Sequence, residues 1–143
     1  GAIATKSLID LTVKESEFEN VKSDKNGGAI FVDVNGDSGK HQKATILINS
    51  AKFTNCSSEF GGAILQLGGT LIIKNSDFVK NSVEYDGGAI YVTGTNTSVI
   101  NSNFTNTIAD HVGGAAYIAG HNTYITGDSF YNSKSKGTGN TDR

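Results

Sequence analysis

The chain has 143 residues, a formal net charge of −2 and a single arginine, Arg143, so it lacks the basic face that a nucleic-acid binder needs. It holds no run of 18 apolar residues to cross a membrane as a helix, and no basic-then-apolar leader opens it. Cys56 is the lone cysteine, so no internal disulfide forms, and Cys56 reads as a small buried hydrophobe rather than a nucleophile.

Taken in order, the chain repeats itself. Gly1-Ala2-Ile3 opens the first unit, which runs to Asn26. Gly27-Gly28-Ala29-Ile30 opens the second, Gly61-Gly62-Ala63-Ile64 the third and Gly87-Gly88-Ala89-Ile90 the fourth. The fifth begins at Gly113-Gly114-Ala115-Ala116. Successive first glycines of the four pairs are 34, 26 and 26 residues apart. Phe18, Phe53, Phe78, Phe104 and Phe130 recur beside them, at steps of 35, 25, 26 and 26. A fixed period in this range marks a solenoid or another repeat array. Because the opening residues look like the end of a glycine motif, residues 1–143 read as one segment of a longer array.

Each unit has three parts. A short apolar run follows the glycine pair: Ile30-Phe31-Val32, Ile64-Leu65-Gln66, Ile90-Tyr91-Val92, Ala116-Tyr117-Ile118. After a polar or glycine turn comes a second short strand: Leu8–Val13, Thr45–Ile48, Thr70–Ile73, Thr97–Ile100, Thr123–Thr126. Within it Val13, Leu47, Ile73, Val99 and Ile125 are aligned as one inward-facing aliphatic column. The third part starts at the phenylalanine and runs through polar residues to the next glycines. Three strands in 26 residues are too few for a propeller blade, and no segment has the periodicity of a helical repeat. What fits is an all-β, single-stranded parallel β-helix of about five coils, each strand pairing with its equivalent about 4.8 Å away.

That stacking sets like on like. The phenylalanines are expected to form one aromatic stack in the core. Two residues after each stands Asn20, Asn55, Asn106 or Asn132, with Lys80 breaking the row. Asparagine tolerates the left-handed backbone, so this row reads as a ladder at a sharp corner. The glycine pair reads as a backbone device that permits positive φ or close approach of coils. A phosphate-binding glycine loop needs a following helix, and none is present.

The pairing of Gly-Gly-Ala-Ile with a downstream Phe-x-x-Asn resembles the repeat of chlamydial polymorphic outer-membrane proteins. It is equally similar to adhesin-like surface proteins of methanogenic archaea. The glycine part matches at Gly27, Gly61, Gly87 and Gly113; the Phe-x-x-Asn part matches strictly at Phe78–Asn81, and elsewhere asparagine comes one residue early. The resemblance implies a right-handed β-helix outside the cell, on its surface, serving as a stalk or adhesin. It brings no catalytic residue and no cofactor.

Several residues are candidates for chemistry. Glycosidases need two carboxylates, and polysaccharide lyases of β-helix type a strong base beside a carboxylate cluster. Counting back from the glycine pairs aligns Asp24, Ser58, Glu84 and Asp110, with Asp86 and His111 nearby. Glu84, Asp86 and Asp110 thus form an acidic column, read as an ordinary solvated turn, a weak cation site or, as a third alternative, an active site. Phe31, Leu65, Tyr91 and Tyr117 share another column. Facing outward it suits a sugar; facing inward, the preferred reading, it is core. Asn55, Asn96 and Asn103 begin glycosylation sequons, Asn96 being the best placed, in a turn. The second unit carries eight extra residues between Val34 and Thr45, a polar glycine-bearing loop. In it Asp37, Lys40, His41 and Lys43 are the candidate contact residues, since solenoid insertions often gather on a binding face.

The expected function is a non-enzymatic structural or adhesive stalk. The alternatives are a β-helix carbohydrate-active enzyme and a glycan-binding module. Expected partners are adjoining repeats or further copies stacked end to end, and a glycan or protein on a neighbouring cell.

Overall fold

The computed structural model describes residues 1–6, 10–36 and 43–137. It is a parallel β-solenoid of five coils, about 26 residues apart. The first coil holds β1 (Ile3–Thr5), β2 (Leu11–Lys14) and β3 (Glu17–Glu19). The second holds β4 (Ile30–Asp33), β5 (Thr45–Asn49), β6 (Lys52–Thr54) and β7 (Ser57–Ser58). In the third are β8 (Ile64–Leu67), β9 (Thr70–Lys74), β10 (Asp77–Val79) and β11 (Ser82–Val83). The fourth has β12 (Ile90–Thr93), β13 (Asn96–Ile100), β14 (Asn103–Thr105) and β15 (Ile108–Ala109). The fifth has β16 (Ala116–Ile118), β17 (Asn122–Thr126), β18 (Ser129–Tyr131) and β19 (Lys134–Ser135). The three expected strands per coil are present. From the second coil on, a two-residue strand follows them and builds a fourth sheet, β7-β11-β15-β19. Its short, polar sequences carry no alternation by which to recognise it.

Every strand pair is parallel, and register is set by the core. The phenylalanine column is continuous: neighbouring rings from Phe18 to Phe130 lie 4.9, 4.9, 4.7 and 4.9 Å apart, within 7° of parallel. Phe53, Phe78 and Phe104 are fully buried. The aliphatic column differs by one residue from its sequence alignment. Val13 pairs with Ile48, not Leu47, and the row continues through Ile73, Val99 and Ile125. Leu47 faces outward. The correction follows from alternation: Phe53 comes five positions after Ile48, as Phe18 does after Val13, and a one-residue slip turns a side chain to the other face.

The coil turns at backbone positions that few residues tolerate. Asn20, Asn55, Asn106 and Asn132 all have φ between 52° and 57°, and Lys80, in the same column, has 58°. The side-chain amide of Asn55 donates to Asn20 Oδ1 at 2.7 Å, and Asn132 to Asn106 Oδ1 at 2.6 Å. A second left-handed corner, Glu15, Ser50, Asn75, Asn101 and Gly127, is less uniform in sequence and escaped the column reading. The glycine pair divides its two expected roles between its members. Gly61 has φ of 62°, whereas a Cβ on Gly62 would lie 2.2 Å from the Gly88 carbonyl of the next coil. The first glycine makes the turn and the second admits the neighbouring backbone.

The row two residues past phenylalanine faces the corner, and the row three past it faces inward. There Asn81 is fully buried, accepting the Cys56 amide at 2.9 Å and donating to Phe53 O at 3.1 Å. A parallel serine ladder runs one corner away: Ala51 N donates to Ser76 Oγ at 3.2 Å and Ser76 N to Ser102 Oγ at 3.1 Å. Polar side chains thus cap backbone groups that the corners leave unpaired.

Two outcomes follow for stability. Phe78→Ala should cost about 3–5 kcal/mol, measured by denaturant unfolding, because both neighbouring rings lose a face. Lys80→Asn should raise stability by about 1 kcal/mol, because asparagine is at home at positive φ and restores the corner ladder. A lower melting temperature for Lys80→Asn would contradict that account of the corner.

Candidate functional site

The acidic column lies where each coil leaves the fourth sheet and approaches the glycine turn. Glu84 N donates to Ser58 O and Asp110 N to Val83 O, both at 3.2 Å, which places Glu84 and Asp110 on successive coils. They line an open groove of about 410 Å³ with Asp24, Glu59, Lys22, Ser82 and Lys136 among its other residues. Glu59, not Ser58, carries the column through the second coil. Ser58 is buried, its hydroxyl 2.7 Å from Phe60 O and 2.9 Å from Gly61 O. The sequence alignment missed Glu59 because the second unit has one residue fewer between phenylalanine and glycine; counting forward from Phe53 finds it.

Asp86 does not join Glu84 and Asp110. It accepts Val112 N at 3.3 Å and lies 3.9 Å from His111 Nδ1. Asp110 is engaged by the Lys136 ammonium at 2.8 Å. Among the described residues no group of three or more His, Cys, Asp and Glu is arranged to hold a metal ion. Strand register sets Asp24, Glu59, Glu84 and Asp110 in one row along the axis.

The column of Phe31, Leu65, Tyr91 and Tyr117 lies on the outer face of its sheet, contrary to the preferred reading, with Phe31, Tyr91 and Tyr117 half-buried and Leu65 covered. Strand pairing puts these residues in one row, and their neighbours Ile30, Ile64 and Ile90 hold the buried face. Alternation allows only one of the two rows inside, and the isoleucines fit the interior between the coil's walls. The outward rings are packed against one another. Tyr91 and Tyr117 stack with centroids 4.8 Å apart and planes 12° apart. Phe60 meets Tyr91 edge-on at 5.5 Å and stacks on Tyr85 at 5.0 Å; Tyr85 in turn meets His111 at 5.1 Å. Tyr91 and Tyr117 thus each turn one ring face to the other along the axis. Desolvation, then the charges of Tyr117 and Asp86, push the Tyr91 phenol above its ordinary range.

Of the remaining candidates, Asn96 is exposed at the first position of β13 rather than within a turn. Its Oδ1 accepts the Asn122 amide at 2.9 Å. Lys43 is exposed beside Asp10, Thr45 and Asn96; Asp37, Lys40 and His41 lie outside the described residues. Cys56 is buried, and its thiol is pushed up by desolvation, so it is a core residue as expected.

Fold and sites together define a class: a parallel β-solenoid repeat protein whose surface is made of axial ladders. Residues 75–93 match the model of the Chlamydia polymorphic membrane protein repeat. That stretch holds Phe78–Asn81 and Gly87–Ile90, the aromatic core position, the inward asparagine and the glycine turn. No curated protein and no solved structure matches the chain. Repeat and solenoid point to a surface or outer-membrane protein.

The aromatic cluster yields a pH signature. A phenol held neutral by the fold contributes stability that is present below the unfolded value of about 10. It is lost as pH rises through the higher folded value, because the unfolded chain releases its proton first. Alkaline unfolding curves should therefore steepen above about pH 10. Tyr91→Phe should flatten them, and an unchanged curve would remove Tyr91 as the cause.

Proposed function

We propose that this chain is a structural segment of a cell-surface stalk or filament, adhesin-like, that serves attachment or assembly outside the cell. The observation that carries the reading is the continuous stack of five coils with one residue type favoured per column, together with the repeat match at residues 75–93. A rod built by repetition spans distance at little cost in sequence complexity, because each coil contacts only its neighbours. The attachment partner is a glycan or a protein on a neighbouring cell, and the insertion bearing Asp37, Lys40, His41 and Lys43 is the segment's own contact loop.

The reading is non-enzymatic. Retaining glycosidases place two carboxyls about 5–5.5 Å apart on either side of the scissile bond. Glu84 and Asp110 stand in one row on successive coils, with Lys136 already on Asp110. Nothing in the open groove excludes water from a reacting centre.

Labelling intact cells that express the native gene tests the location. Antibody or protease should reach the segment without permeabilisation; access only after lysis would overturn the surface reading. Purified chain should show no polysaccharide turnover, and turnover that disappears in Glu84→Gln or Asp110→Asn would replace the stalk with an enzyme.

A further inference from the structure

Three steps in the chain put a glycine directly after an asparagine or aspartate: Asn26-Gly27, Asn35-Gly36 and Asp86-Gly87. Such steps close to a succinimide readily, because glycine has no Cβ to obstruct attack of its nitrogen on the preceding side-chain carbonyl. The three are alike in sequence, and the fold sets one of them apart. Gly27 N donates to Phe60 O at 2.9 Å and Gly87 N to Val112 O at 3.1 Å, so both nitrogens are bound to the next coil, and both glycines are buried. Attack from either would break the ladder at the turn that closes the coil. Gly36 is half-buried and stands past the end of β4, and its N–H donates instead to a side chain, Asp33 Oδ1, at 3.0 Å. The Asn35 side chain lies over Gly68 of the next coil and lines an open groove of about 390 Å³ with Gly94, Thr95 and His121. That groove admits water to the reacting side chain.

We propose that Asn35 is a self-modification site, which converts through a succinimide with Gly36 to aspartate and isoaspartate while Asn26 and Asp86 stay intact. In the closing step Gly36 N forms a bond to Asn35 Cγ, and the amide proton passes to the Asp33 carboxylate. The bond from Cγ to Nδ2 breaks, and Nδ2 leaves as ammonia, taking up a proton as it departs. Water then adds to one of the two imide carbonyls. Opening at the Cγ–N bond leaves aspartate in place of Asn35. Opening between the Asn35 carbonyl carbon and Gly36 N leaves isoaspartate, whose side-chain methylene has entered the backbone. No electrons are exchanged, and water is the co-reactant. Asp33 fits the role of proton acceptor by its position, since a general base acts from about 2.6–3.2 Å of the atom it deprotonates. Either product replaces a neutral amide with a carboxylate close to Asp33, where the chain leaves β4 for the insertion. Under the stalk reading the conversion alters charge and chain path at the base of the contact loop; the chemistry itself does not depend on that reading.

Peptide mapping by mass spectrometry reads the conversion in the purified 143-residue chain, aged folded at mildly alkaline pH. Enzymatic methylation of isoaspartate counts the second product. In the folded chain Asn35 should convert at least several-fold faster than Asn26, and Asp86 should show no isomerisation. In denaturant, where the ladder between coils is gone, the rates at Asn26 and Asn35 should converge. Conversion of Asn26 as fast as Asn35 in the folded chain would overturn the selection by the fold, and an Asn35 that stays intact would overturn the site. Asp33→Asn should slow conversion of the folded chain several-fold and leave the rate in denaturant unchanged, whereas Asp33→Glu, which keeps a carboxylate, should retain more of the rate. The variants are compared at a temperature where the melting curve of each shows it folded. A folded rate that is unchanged or raised in Asp33→Asn would remove Asp33 as the proton acceptor. Failure of labelling on intact cells would remove the stalk reading and leave this conversion standing.

Discussion

Everything in this molecule depends on equivalent residues stacking at one strand spacing. Parallel pairing brings each residue directly over its counterpart, so every choice of side chain is made against itself. Inside, that condition favours flat rings and branched aliphatics. The near-parallel phenylalanine rings at 4.7–4.9 Å take the separation of the strands that carry them. Isolated aromatic pairs prefer offset or edge-to-face arrangements, so the backbone repeat, not the ring quadrupole, sets this geometry.

The same condition governs the corners. Nine non-glycine residues among those described have positive φ, and six are asparagine. An ordinary L-residue pays about 1–2 kcal/mol there. Asparagine reduces that cost and adds a side-chain rung to the next coil, so the ladder and the turn come from one residue type. The inward polar rows do related work. Ser76, Ser102 and Asn81 answer backbone amides of the neighbouring coil, which ties each corner to the next. Gln66 and Thr97 are exceptions within the core: Gln66 sits between Val32 and Val92 and its amide donates to Gly68 O at 2.9 Å, while its Oε1 and the buried Thr97 hydroxyl have no partner among the described residues.

On the outside, stacking like on like is less favourable. The groove sets Asp24, Glu59, Glu84 and Asp110 in one row, where repulsion is eased by water, salt and Lys136. The outward tyrosines Tyr91 and Tyr117 stack on each other, and Phe60 stacks on Tyr85, which consolidates the turn before the glycine pair.

The sequence by itself determined the fold class, the coil length, the phenylalanine stack, the asparagine corner and the role of the glycine pair. Those features recur at fixed spacing, and stacking turns recurrence into contact. Tertiary structure alone decided which of two apolar rows faced inward, since Ile30 and Phe31 are both credible core residues and alternation leaves the choice to the neighbouring walls. It also decided register within the irregular second unit. There an insertion before β5 and a one-residue deletion after β6 shift the count, so that Ile48 and Glu59, not Leu47 and Ser58, hold the shared columns. A repeat read from one landmark drifts wherever its length changes, and hydrogen bonding between coils resets it, because a strand out of register would turn its core side chains to water.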